Sequence, residues 1–100
     1  MTFNSYYRDI YLPAHSKRST KLLHMAGVLA TFLWIAAALN QTMTVGLLML
    51  LMSPFVVYPF AWASHAIFEK NKPLAFTNPL WAKASDLRMC AEILTGKLSL

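Results

Sequence analysis

Charge is missing from the middle of this chain: between Lys21 and Glu69 stand 47 residues with no Asp, Glu, Lys or Arg. Acid is scarce throughout, with 4 Asp and Glu residues against 9 Lys and Arg. The single cysteine, Cys90, excludes an internal disulfide and a cysteine-built metal cluster, and reads as a small apolar residue on the last helix. Also absent are a nucleophile elbow, a phosphate-binding glycine loop, paired metal-binding cysteines and a dinucleotide fingerprint, so soluble cofactor chemistry has no support. No internal repeat, low-complexity run or domain linker interrupts the sequence.

What is present is apolar. Of 100 residues 57% are hydrophobic and 13% charged, more apolar surface than a soluble core of this size hides. Residues 22–39 approach the length that crosses hydrocarbon as a helix, and 45–68 meets it. Backbone groups in lipid must be satisfied internally, which selects helices. The expected fold is therefore an all-α membrane protein of one domain. It comprises a two-helix transmembrane hairpin (21–40 and 44–69), an interfacial N-terminal segment (1–20) and a C-terminal amphipathic helix (79–95). The first span does not read as a signal peptide, because a polar and aromatic stretch precedes it and a second span follows.

Arg8, Lys17, Arg18 and Lys21 precede the hairpin and Lys70, Lys72, Lys83, Arg88 and Lys97 follow it, while the Asn40–Thr44 connection has no base. The positive-inside rule places both termini in the cytoplasm. These bases suit anionic lipid, and nucleic acid is not an expected partner. The bacterial inner membrane is favoured over the endoplasmic reticulum for so short a form.

Within residues 3–12, Tyr6, Tyr7, Ile10 and Tyr11 alternate with Asn4, Arg8 and Asp9, a pattern for a short helix lying among headgroups with aromatic anchors. Pro13 interrupts it. Ser19 or Thr20 is placed to cap the first span, Pro54 and Pro59 to bend the second, and Asn71-Lys72-Pro73 to stop it. Asn78-Pro79 opens the last helix and Gly96 ends it. Leu80, Ala84, Leu87, Ala91 and Leu94 fall on one stripe, expected to pack across the cytoplasmic mouth of the hairpin.

The histidines carry the chemistry. His24 and His65 sit near the two ends of the charge-free stretch, so a folded hairpin brings them to one side of a bilayer. Their unequal distances from the connecting loop differ by roughly 7 Å, which two proline bends can absorb. His15, nine residues before His24, would lie on the opposite side of a straight helix, and needs a turn at Ser16–Thr20 to fold over the helix start. His65, Glu69 and Trp62 share a face. Imidazoles are common iron, zinc and copper ligands, and ionisable groups within a membrane are functional candidates. The residues alone leave open a metal site or histidines that only bind headgroups and backbone. They equally leave open a structural pairing of Glu69 with Lys70 or Lys72, and of Asp86 with Lys83.

Two blocks narrow this choice. Residues 60–89, FAWASHAIFEKNKPLAFTNPLWAKASDLRM, closely resemble the signature of a family of small membrane proteins whose yeast member is a 2-hydroxy fatty acid dioxygenase of phytosphingosine breakdown. Residues 11–27, YLPAHSKRSTKLLHMAG, look like that family's other block, with two histidines at the same separation. The resemblance implies an Fe(II)-dependent dioxygenase that uses dioxygen to shorten a 2-hydroxy fatty acid by one carbon. His15, His24 and His65 match the family's histidines and become the metal ligands. Glu69 and Asp86 become catalytic-site groups orienting the imidazoles, with a fourth-ligand role open to either. Lys70, Lys72 and Arg88 would attract the substrate carboxylate, with Asn71 and Trp62 on the substrate side. Zinc is the alternative metal, for a membrane hydrolase, and a non-enzymatic lipid-binding or interaction hairpin is the alternative class. The chain departs from the family pattern at Thr20, where an asparagine is usual, and at Ser64. It is also short beside relatives with further membrane segments, which leaves either a second copy to complete the lipid-side pocket as a homo-oligomer or a chain that has lost the activity.

Overall fold

The N-terminal segment is helical from its third residue because Thr2 and Ser5 cap each other. Thr2 Oγ1 accepts from the Ser5 amide at 3.2 Å and Ser5 Oγ accepts from the Thr2 amide at 3.2 Å. In the computed structural model, which describes residues 2–72 and 78–100, this segment comprises α1 (Phe3–Tyr6), a π-helical stretch (Tyr7–Tyr11) and α2 (Leu12–Ala14). The chain turns through His15 and Ser16, extends at Lys17, and enters α3 (Arg18–Leu39). Neither Ser19 nor Thr20 caps α3. Instead Glu69 reaches over from the other long helix and accepts from the Lys17 amide at 2.9 Å, setting a carboxylate at the positive end of the helix.

The second long helix, Met43–Glu69, is segmented into α4 (Met43–Met52), a 3-10 turn (Ser53–Phe55), α5 (Tyr58–Ser64) and a π-helical stretch (His65–Glu69). Pro54 and Pro59 each lack an amide proton, which breaks the regular ladder. The Ser53 hydroxyl donates to the Leu50 carbonyl at 2.7 Å, satisfying the acceptor that Pro54 cannot serve. Arg18–Leu39, with 22 residues, and Met43–Glu69, with 27, are both long and apolar enough to cross a membrane. The last element, α6 (Pro79–Leu94), is capped by Asn78, whose Oδ1 accepts from the Trp81 amide at 3.3 Å; Gly96 follows at φ +83°. Among the described residues there is no strand. Pro73, in the expected stop, lies outside the described residues.

The two long helices lie side by side and run in opposite directions. Near their connection Trp34 Nε1 donates to the Met49 carbonyl at 2.7 Å; further along Gly27 faces Val57 and Phe60, and at the open end Thr20 Oγ1 donates to Glu69 at 2.5 Å. Small residues permit this closeness, as they do between helices in apolar surroundings. A Cβ on Gly46 would sit 2.7 Å from the Ala38 carbonyl oxygen, a backbone atom that cannot move aside. Gly46→Ala is therefore expected to lower stability by about 1–3 kcal/mol, read as a fall in melting temperature in detergent.

Two expectations about packing are corrected. Tyr6, Tyr7 and Tyr11 are not headgroup anchors: all three are buried, packing with Met89 of α6 and against Trp81. An alternation of rings and polar residues serves a helix on headgroups or on another helix equally well, and α6 supplies partners for the hydroxyls, Glu92 for Tyr7 at 2.6 Å and Asp86 for Tyr11. The leucine stripe of α6 is also reversed. Leu80 is 81% and Leu94 78% exposed, while Ala82, Ser85, Asp86 and Met89 face inward. Small and hydrogen-bonding side chains make the close contacts, and the leucines face outward with those of α3 and α4, the arrangement suited to lipid.

Candidate metal centre

Three elements deliver the histidines. α2 ends at His15, whose φ of −128° carries the chain out of the helix. The turn that follows folds His15 over the start of α3, where Thr20, His24 and Gly27 form its buried stripe. His65 opens the π-helical stretch, a wide turn of a kind that recurs at functional sites. The chain then reverses through Lys70 in the left-handed conformation at φ 57°, which folds Asn71 back over His65. This reversal and the proline-broken path of the second helix bring residues of unequal distance from the loop to one level.

The imidazoles meet edge to face. Ring centroids lie 4.4 Å apart for His15 and His24, 4.6 Å for His15 and His65, and 5.5 Å for His24 and His65, with interplanar angles of 85°, 80° and 86°. Each histidine offers one ligand atom, and these atoms lie within 4.8 Å of one another. All three side chains are buried, His15 to 1%, His24 to 2% and His65 to 1% exposure.

Each ring is held by its outer nitrogen. His15 Nδ1 is 2.7 Å from the Tyr11 carbonyl, His24 Nδ1 is 3.0 Å from Asp86 Oδ1, and His65 Nδ1 is 2.5 Å from Asn71 Oδ1. All three partners are oxygens that only accept, so each Nδ1 carries a proton, which in the neutral ring leaves Nε2 with the lone pair that a ligand needs. His24 Nε2 is buried with no hydrogen-bond partner. An orphaned buried nitrogen of this kind is costly unless something occupies the position it faces. Burial, and after it the neighbouring His24, holds the His15 imidazole well below its usual range, at about 3, so the ring is neutral at neutral pH as a ligand must be. The adjoining cavity of about 20 Å³ has room for an atom-sized ligand. The donor set thus fits a bound divalent metal, and three imidazoles serve iron and zinc alike.

Tyr11 is the support that sequence reasoning missed. Its ring stacks on His15 with centroids 3.9 Å apart, its carbonyl accepts from that histidine, and its hydroxyl donates to Asp86, which holds His24. One residue therefore braces two of the three imidazoles. The available signal was its position four residues before His15, one helical turn away.

The other expected site residues divide. Asp86 touches His24, as an orienting group should, and makes no ion pair with Lys83 among the described residues. Glu69 touches no histidine; Ser16, the Lys17 amide and Thr20 take its oxygens, so it fastens the open end of the helix pair. Asn71, placed on the substrate side from sequence, instead orients His65 and donates to the Ala14 carbonyl at 3.3 Å. Arg88 lies away from the histidines, bonding Asn4 at 3.0 Å and Glu92 at 3.4 Å and covering the Tyr7 ring. Lys70 and Lys72 are exposed and line no cavity wall beside the histidines. Trp62 does line that cavity, stacked on Tyr58 with centroids 5.7 Å apart. The cation that borders the cavity is Lys83. Thr20 is fully buried and spends its hydroxyl on Glu69.

Neither the curated proteins nor the solved structures hold a match to this chain. A family model, described as 2-hydroxy-palmitic acid dioxygenase Mpo1-like, matches residues 1–98.

Proposed function

Because the chain belongs to the Mpo1-like family, we propose that it is an Fe(II)-dependent dioxygenase that shortens 2-hydroxy fatty acids by one carbon, with iron held by His15, His24 and His65. The observation that carries this reading is the buried cluster itself: three imidazoles, each anchored through Nδ1, with one ligand atom apiece drawn together. Iron held by these three imidazoles would supply dioxygen chemistry that no side chain possesses.

The remaining work falls to the chain. Asp86 and Tyr11 hold His24 and His15 in the ligating tautomer, and the carboxylate makes the His24 ring a stronger donor. Asn71 does the same for His65 without adding charge. Tyr58 and Trp62 give the cavity an aromatic wall. In the proposed topology Arg18–Leu39 and Met43–Glu69 cross the membrane as a hairpin with both termini cytoplasmic, so that the histidines stand at its inner rim. An acyl chain then stays among apolar side chains while its carboxylate and 2-hydroxyl reach the cluster.

The test is reconstitution. Metal-free protein loaded anaerobically with Fe(II) is expected to take up oxygen on addition of 2-hydroxypalmitate and to release the acid one carbon shorter. Protein loaded with Zn(II) is expected to do neither. Stoichiometric Fe(II) binding without oxygen uptake would overturn the reading.

A further inference from the structure

The cavity beside the histidines adjoins, at Lys83, an apolar groove between α3 and α6. Val57, Lys83 and Asp86 border both the histidine cavity and a pocket of about 200 Å³. That pocket in turn shares Val28, Phe32 and Leu87 with a larger one of about 510 Å³ that runs on to Leu94. The three spaces thus adjoin in series, and the far part is lined almost wholly by aliphatic and aromatic side chains. Its size is in the range of small-molecule sites, roughly 300–1,000 Å³.

Lys83 stands at the junction. Its ammonium donates to the Pro54 carbonyl at 2.6 Å and lies 5.1 Å from the centre of the Tyr58 ring. Among the described residues no carboxylate pairs with it. It is partly buried, and that burial holds its pKa below the usual lysine range while Asp86 acts the other way. An ammonium in this setting gains from an anion that enters the groove.

We infer that the α3–α6 groove is the acyl-chain site for a single free 2-hydroxy fatty acid, whose carboxylate pairs with Lys83 where the groove meets the histidine cavity. This rests on the dioxygenase reading for the identity of the acid. The occupant follows from charge and shape together: one cation at one end suits a monoanionic acid, and the apolar length beyond it suits a hydrocarbon tail. The site differs from the exposed Lys70 and Lys72, and from Arg88, whose side chain is already engaged.

The experiment measures binding of labelled 2-hydroxypalmitate to the metal-free full chain in nanodiscs, with no turnover required. Lys83→Met is expected to weaken binding by roughly tenfold or more, the loss of one hydrogen bond to a charged group, and to leave binding of 1,2-hexadecanediol, which lacks the carboxylate, unchanged. Ala91→Phe, which fills the groove from the exposed side of α6, is expected to weaken 2-hydroxypalmitate and to spare 2-hydroxyoctanoate. Equal acid binding by wild type and Lys83→Met would overturn the proposal. So would parallel loss of acid and diol, which marks a structural effect, or efficient competition by phosphatidylcholine, which marks an ordinary lipid-facing surface. Binding that follows these expectations in a protein that consumes no oxygen would keep the site and reject the oxygenase.

Discussion

His65→Ala is expected to leave the protein folded, free of stoichiometric iron and unable to turn over 2-hydroxypalmitate. His65 contributes one of three imidazole nitrogens, and its removal leaves His15 and His24 as the only members of the cluster. Losing a residue that merely supports a ligand costs metal sites about 10–100-fold in affinity. Loss of a ligand should exceed the upper end of that range. The fold is expected to survive because the fastening of the helix pair lies elsewhere, in Glu69 with Ser16, Lys17 and Thr20 and in the contacts of Gly27 and Gly46. Glu69→Gln supplies the contrast: it should lower the melting temperature and retain iron, since Glu69 touches no histidine. Elemental analysis of both purified variants decides the matter. Stoichiometric iron in His65→Ala would remove that residue from the centre, and loss of iron from Glu69→Gln would show that the carboxylate acts on the metal after all.

The contrast between these two residues also shows what could be read from the chain. The charge-free stretch and its terminal histidines announced two long apolar helices, and Asn78-Pro79 with Gly96 marked the last helix, because capping and helix-breaking chemistry is local. His15 was legible through Pro13 and the polar run that lets the chain turn, and through the family block that pairs it with His24. Direction was not legible. Tyr6, Tyr7 and Tyr11 would make the same pattern on headgroups as on α6, and the leucines of α6 face outward because the helix presents its small and polar residues to its neighbours. Nor could sequence separate Glu69 from Asn71. Both follow His65 closely, and only the left-handed turn at Lys70 decides that the amide folds back to the ring while the carboxylate points to the other helix.

Asp86→Asn is expected to weaken metal binding by about 10–100-fold, the usual cost of losing a carboxylate that supports a ligating histidine. Asp86 Oδ1 accepts from both His24 Nδ1 and the Tyr11 hydroxyl, and an amide cannot reproduce both bonds without a penalty. If the amide nitrogen faces His24, the ring must carry its proton on Nε2, and the lone pair directed at the cluster is lost. If the amide oxygen faces His24, the tautomer survives, but the negative charge that makes the ring a strong donor is gone. Either orientation weakens the site, whereas a purely structural aspartate would lower stability alone. Tyr11→Phe separates the two effects. It deletes the hydroxyl and keeps the Asp86–His24 pair, the stacking on His15 and the backbone carbonyl that His15 uses. It is therefore expected to cost about 1–3 kcal/mol of stability with a smaller change in affinity than Asp86→Asn. Titration of the metal-free variants with Fe(II), beside their melting temperatures, gives both quantities. An Asp86→Asn protein that binds iron as tightly as wild type while melting lower would assign Asp86 to the fold and leave His24 to be oriented by its packing.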